Sequence, residues 1–509
     1  MKLNFVQNTK RNIVAGSINQ VFRLLFPFLN RTLFLWLLGP EYLGLNGLFT
    51  SVLGVLMLAE LGFGKAVVCS MYKPVADGDH DLVCAYLSFY RTIYRWVGTI
   101  IFVGGLCLLP FLRKLVHGDI PPDVNLYVLY MLHLLNTSVS YFLFAYRGSI
   151  LNVHHRNDVL TNIQTGTQIV QYIVVFAVLI ITRNYYMYVI VTLLFTALSN
   201  LLLVLATQRL FPDISPSGEL MPENRRQVIS DVKSIFLHKI GTVITYQIDN
   251  VALSAFFGLV AVASYGNYYY VCASVAGIPA IIYSSMSGGF GNMIYTESRE
   301  KNFELFMRVE RLVGIIIIWC AAMMLALYQP FIALWSKNNP ELMQHFLTPV
   351  LMVLFFYINQ SRQVLLSFKT GAGLWHEDRW KPVVGGAVKL LTCLLFILTL
   401  PEKYNLDGLI LSSIIGFVFV QIPWESHVVF SRFFSRTEER TFWFHQMQFM
   451  LIALLLCVST WGITTLIPMN SIPGLIVKGC VATVFSSGLL LVLFRKDVPM
   501  LMDKVFNRG

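Results

Sequence analysis

Apolar windows of bilayer-crossing length follow one another along the chain, joined by short polar stretches, and no stretch alternates in the manner of a half-buried strand. Fourteen windows are predicted to be helices, at roughly 13–38, 42–66, 86–112, 124–146, 159–182, 185–208, 231–257, 261–292, 308–335, 342–368, 381–400, 407–430, 441–467 and 472–494. The pattern predicts an all-α polytopic membrane protein of about fourteen transmembrane helices.

The first window carries an unusual polar stripe. Gln20, Arg23, Pro27, Asn30 and Arg31 fall on one face of a helix that is otherwise apolar. An arginine near a bilayer centre costs roughly 2.5–3.5 kcal/mol on insertion scales, so this face is expected to avoid lipid. The segment from Lys233 to Phe257 repeats the arrangement with His238, Lys239, Thr242, Thr245, Tyr246, Asp249 and Asn250. Other features repeat with it. Gly39 and Gly47 have the spacing of Gly258 and Gly266, and Gly62-Phe63-Gly64 is echoed by Gly289-Phe290-Gly291. Internal repeats with interrupted helices point to a transporter. Between the copies, residues 211–230 are rich in proline, glycine and charge and read as a linker. The expected organisation is a six-helix lobe at 1–210, a cytoplasmic linker at 211–230, a second six-helix lobe at 231–432, and two further helices with a cytoplasmic tail at 433–509.

Composition agrees with membrane residence. The chain is 56% hydrophobic and 13% charged, with a mean hydropathy of +0.65, where a soluble domain has about 25% charged residues. The net charge of +11 would suit a nucleic-acid binder, but its distribution argues otherwise. Outside the windows, all but five lysines and arginines (Arg113, Lys114, Arg183, Lys337 and Lys403) lie on the termini and on the loops after even-numbered windows. By the positive-inside rule both termini are expected in the cytoplasm, and no nucleic-acid partner is needed. The basic start shows no cleavable signal peptide. The eight scattered cysteines suggest neither a disulfide framework nor a metal site, and no cofactor is expected. Gly64-Lys65 lacks the rest of a phosphate-binding loop, which sets ATP hydrolysis aside.

The polar first helix with Arg23 and Arg31, the stretch from Leu38 to Gly47, the run Ala59-Glu60-Leu61-Gly62-Phe63-Gly64 and the following Tyr72-Lys73-Pro74 resemble the multidrug/oligosaccharidyl-lipid/polysaccharide exporter superfamily. Within it the chain is most similar to the Wzx-like polysaccharide-repeat flippases. The resemblance implies two six-helix lobes in a V around a central cavity, alternating access, and no enzyme activity. The implied cargo is a polyprenyl-diphosphate-linked oligosaccharide moved from the cytoplasmic to the outer leaflet of a bacterial plasma (inner) membrane. A polysaccharide polymerase or ligase is an implied partner.

The charges inside the windows fit such a cargo. Arg23, Arg31, Arg91, Arg95, Lys239, Lys389 and Lys478 stand against only Glu60, Asp249 and Glu425. A basic excess suits an anion. Arg23, Arg31 and Lys239 are candidates to bind a diphosphate through charge-assisted contacts; structural pairing with Asp249 or Glu60 is the plain alternative. Arg91 and Arg95, one turn apart, read equally as interfacial anchors and as a substrate mouth. Asn30 lies on the same stripe. Gln360, with Asn359, Arg362 and Gln363, and the pair Glu425 and His427, could touch a sugar or join helices. Arg147, His154, His155 and Arg156 read as positive-inside residues or recruiters of lipid phosphate. Asp249 and Glu60 are candidates to couple transport to a proton or sodium ion. Two other functions remain open: a lipid II flippase, whose cargo also bears a diphosphate, and a cation-coupled multidrug exporter, which the basic excess disfavours.

Overall fold

The computed structural model describes residue 22 and residues 25–60, 62–336, 339–374, 377–467 and 471–495. Each of the fourteen windows is helical over most of its described residues. In chain order the helices are α1 (Leu25–Leu37), α2 (Pro40–Leu56), α3 (Phe63–Asp77), α4 (His80–Leu108), α5 (Leu126–Phe142), α6 (Gly148–Val153), α7 (Asn157–Thr182), α8 (Tyr185–Leu210) and α9 (Pro222–Phe257). They continue with α10 (Leu259–Thr296), α11 (Arg299–Trp335), α12 (Leu347–Ser361), α13 (Gln363–Gly371), α14 (Lys381–Thr399), α15 (Asn405–Gly416), α16 (Ile422–Arg432), α17 (Arg436–Thr465) and α18 (Ile472–Leu493). The chain is a multi-pass membrane protein.

Short polar joints start these helices in a consistent way. Asp79, Asn125, Asn184, Ser298, Ser435 and Ser471 each accept a backbone N–H from the first turn of α4, α5, α8, α11, α17 and α18. Such side chains satisfy amide groups that the helix itself leaves unpaired. Away from the joints, large apolar residues stay exposed on outer faces, among them Trp96, Ile100 and Val103 on α4 and Met447, Leu451, Leu454 and Leu455 on α17. These faces suit lipid rather than water.

The chain divides into two compact units, residues 1–263 and 264–509. The first therefore reaches beyond the six-helix lobe expected at 1–210, because α9 packs along α2. Gly44 of α2 admits the chain just after α9: a β-carbon there would overlap the carbonyl group of Leu259, the first residue of α10. The stretch expected to be a linker is also built in. Ile214 and Leu220 are buried with Val228 and Val232 of α9 against Met71, Leu87 and Tyr146, and the helix already begins at Pro222, a residue well suited to a first helical position. In the second unit α17 and α18 both pack on α11, so the last helix pair shares its core.

The repeat noted in the sequence has a backbone counterpart. Gly39, before α2, has φ 115° and ψ 175°; Gly258, before α10, has φ 86° and ψ −179°. This region is essentially restricted to glycine. The same turn joins the first window to the second and the seventh to the eighth.

Candidate functional site

Most of the candidate residues lie in the first unit. Arg23 lies outside the described residues, as does the side chain of Lys239, although the α9 backbone runs through it. On α1, Arg31 is half-buried and donates through Nη2 to the carbonyl of Ala263 at 3.2 Å. Its neighbour Asn30 donates to the Tyr188 hydroxyl at 3.1 Å. Asn30 and Arg31 thus face protein, as the cost of exposing arginine to lipid requires.

The polar face of α9 is used in the same unit. Asn250 donates to the Ser51 hydroxyl of α2 at 2.9 Å, and Asp249 is buried beside it. Toward the end of α9, Ser254 donates to the Leu115 carbonyl at 2.6 Å, and the Ser254 carbonyl receives the His117 amide at 2.9 Å.

The second window is broken where the sequence reads Glu60-Leu61-Gly62-Phe63-Gly64. The α-helix stops at Leu56, residues Met57–Glu60 tighten into a 3-10 turn, and Gly62 takes the left-handed conformation at φ 82° before α3 begins. Glu60 sits at this break. The Tyr141 hydroxyl lies 3.4 Å from its Oε2, and a point one bond above Gly64 is 3.6 Å from its Oε1 and 2.8 Å from the Tyr90 hydroxyl. Tyr90, Tyr94 and Tyr141 pack in series, with centroids 4.6 and 5.3 Å apart. A carboxylate ringed by phenol groups at a helix break can hold a cation or pass a proton. On the neighbouring turn of α4, Arg91 is half-buried and Arg95 exposed.

In the second unit several of the polar candidates are engaged in helix-to-helix contacts. Gln360 is buried and accepts from the Tyr283 hydroxyl at 3.4 Å. Glu425 has no exposed surface. Arg362 donates to both of its oxygens, through Nε at 3.1 Å and Nη2 at 2.5 Å, while Lys381 Nζ reaches Oε1 at 2.5 Å. Asp378 joins Lys381, at 3.0 Å, to Lys369. The Arg362 guanidinium also lies over the Phe417 ring, 4.8 Å from its centroid. This buried network of three cations and two anions ties α12, α13, α14 and α16 together. The sequence offers the residues but not the network, because its members come from α13, α14, α16 and the joints before α13 and α14. The one local signal is the Lys369, Asp378, Lys381 spacing across a helix hairpin.

Tyr268 is likewise internal, donating to Gln329 Oε1 at 2.8 Å. Lys389 and Lys478 are buried within the second unit.

The profile of a family described as polysaccharide biosynthesis protein matches residues 9–288. No curated protein matches the sequence. Among solved structures, lipid II flippase MurJ in an inward closed conformation is similar with a TM-score of 0.65 and 13% identity, over 96% of this chain and 99% of that one. An inward-facing multidrug resistance MATE family transporter of the MOP superfamily has a TM-score of 0.62 and 15% identity, over 82% of this chain and 98% of its own. A mutant of the Vibrio cholerae MATE transporter VcmN has a TM-score of 0.58 and 11% identity, over 84% and 98%. At these identities the likeness is one of fold.

Proposed function

Since the chain belongs to the polysaccharide biosynthesis protein family, a member of the multidrug/oligosaccharidyl-lipid/polysaccharide superfamily, we propose that it is a flippase for a polyprenyl-diphosphate-linked oligosaccharide. The reading is a transporter that carries its cargo from the cytoplasmic to the outer leaflet of a bacterial plasma membrane, with both termini in the cytoplasm. The observation that carries it is the family match over residues 9–288; the length of the fold match adds only a contrast with the multidrug transporters. The lipid II flippase structure is matched over 96% of this chain, whereas the two multidrug transporters stop at 82% and 84%.

The chemistry of the first unit supports an anionic cargo. Arg23, Arg31 and Lys239 are proposed to meet the diphosphate, whose oxygens suit the planar fork of arginine. Arg91 and Arg95 are proposed to line its approach. Glu60, at the break of the second window, and Asp249 on α9 are proposed to couple transport to a proton or sodium gradient.

Lipid analysis of the native host with this gene deleted tests the reading. Accumulation of a species-specific lipid-linked repeat unit, with loss of surface polysaccharide and intact cell-wall synthesis, is the expected result. Accumulation of cell-wall precursor would instead identify a lipid II flippase, the second reading that the MurJ likeness favours. No lipid change, with new sensitivity to small toxic compounds, would overturn both in favour of a multidrug exporter. Complementation by Arg31→Ala at normal abundance should restore less than about a tenth of transport, the loss expected for one charge-assisted contact.

A further inference from the structure

The fourth window is broken as well. α5 ends at Phe142, and the segment Ala145–Val153 continues at a bend of 46°. At the bend Phe144 has φ 62°, a left-handed conformation unusual for an aromatic residue. Backbone held there needs a supporting reason and concentrates at functional positions.

Three residues on stands Arg147. It is 9% exposed, its Nε has no hydrogen-bond partner, and among the described residues its side chain forms no hydrogen bond or ion pair. A guanidinium keeps its charge at any physiological pH, and its five N–H groups are all donors. Sealing its Nε with no acceptor is costly, and an anion at the part of the guanidinium that stays accessible would offset that cost.

The second unit contains the counterpart. The tenth window is interrupted at Arg362, between α12 and α13, as the fourth is near Arg147. There the twelfth window supplies Glu425, which Arg362 grips with two hydrogen bonds. In the first unit the sixth window, α8, contains no aspartate or glutamate from Tyr185 to Leu210. Polar rungs between α5 and α8, Asn136 with Thr196 and Asn200 with Ser140, have a spacing of 60 residues. The same spacing carried from Arg147 reaches Thr207, whose hydroxyl is bound to the carbonyls of Leu203 and Val204 in its own helix. Other elements do not replace the missing acid. Asp158 of α7 is engaged by Arg156 at 3.0 and 3.3 Å; of the other helices packed here, α3 carries Asp77 and α4 carries Asp81 beside Arg91 and Arg95, and neither aspartate pairs with Arg147.

We propose that Arg147 is a binding residue for the phosphate of a lipid headgroup, which takes the place that Glu425 fills beside Arg362. The phosphate comes from one of two sources: a phospholipid of the inner leaflet, or the diphosphate of the cargo. Only the second rests on the function proposed above.

The test is lipid binding to the purified full-length protein in detergent, read by thermal unfolding. The probes are phosphatidylglycerol, undecaprenyl diphosphate, and diacylglycerol as a phosphate-free control. Wild type should be stabilised by a phosphate-bearing probe and not by diacylglycerol. Arg147→Met should bind that probe at least about tenfold more weakly, the loss of one hydrogen-bonded charge pair, and without lipid should unfold no lower than wild type. Arg147→Lys keeps the charge without the fork and should fall between them, which covers the case in which the methionine variant does not fold. Stabilisation by phosphatidylglycerol alone identifies a phospholipid site, and stabilisation by undecaprenyl diphosphate alone a cargo contact; either upholds the proposal. Equal stabilisation of wild type and both variants, or none of wild type by either phosphate, overturns it.

Discussion

The α-carbon of Gly64 faces the hydroxyl of Tyr90 so closely that a β-carbon on it would stand 2.8 Å from that oxygen. The same point is 3.6 Å from Glu60 Oε1, so the glycine is part of the floor on which the carboxylate and the phenols meet. Gly64→Ala should push Tyr90 off its place and lower stability by about 1–3 kcal/mol, the usual cost of overpacking. Thermal unfolding measures it. Tyr90→Phe added to Gly64→Ala should recover part of the loss, because the clashing atom is gone; no recovery would mean that the helix break itself is sensitive to the methyl group.

A separate backbone requirement applies at the repeated turn. Gly258→Ala should cost about 1–3 kcal/mol, since alanine has no comfortable conformation there and its β-carbon would stand 3.0 Å from the His117 carbonyl oxygen. Gly39→Ala should behave alike. Gly462, inside α17 with open space around it, is the control: alanine there should be neutral or gain up to about 1 kcal/mol. Equal losses at all three positions would refute the argument from turn geometry.

The Arg362–Glu425 pair should be costly to break and cheaper to remove. Arg362→Ala leaves a sealed carboxylate with only Lys381 and is expected to lose about 3–5 kcal/mol, seen as a fall in membrane abundance. Replacing both residues by methionine should lose less than either single change. A double variant worse than both singles would show that the network carries more than pairing.

Coupling separates from stability at Glu60 and Asp249. Glu60→Gln and Asp249→Asn should leave abundance near wild type while changing how cargo transport depends on an imposed proton or sodium gradient in proteoliposomes. If the dependence of both variants matches wild type, neither residue is the coupling group.

The windows were legible because crossing lipid demands a long apolar run, whatever packs beside it. The repeated turn was legible for a similar reason: only glycine fits the backbone of Gly39 and Gly258, so the requirement is written at single positions. The break at Glu60 announced itself through Gly62 and Gly64. Partnerships were not legible. Nothing near Arg362 in the chain indicates Glu425, 63 residues away, and nothing near Arg147 indicates that its counterpart acid is missing. Composition also gives no sign, within residues 211–230, that Ile214, Leu220 and Val228 are buried among the prolines and charges. Which charges pair is decided by helix packing, and that depends on contacts such as Gly44 against Leu259 that carry no hydropathy signal.

The packing of α9 on α2 sets a timetable for biosynthesis. Ser51 receives the hydrogen bond of a residue 199 positions later. At about 5–20 residues per second, the ribosome delivers Asn250 roughly 10–40 s after Ser51. During that interval windows three to six are made and inserted while a polar seam of α2 stays unfilled. A chain halted before α9 is therefore an unfinished unit, exposed to the insertion machinery and to quality-control proteases until its seventh window arrives.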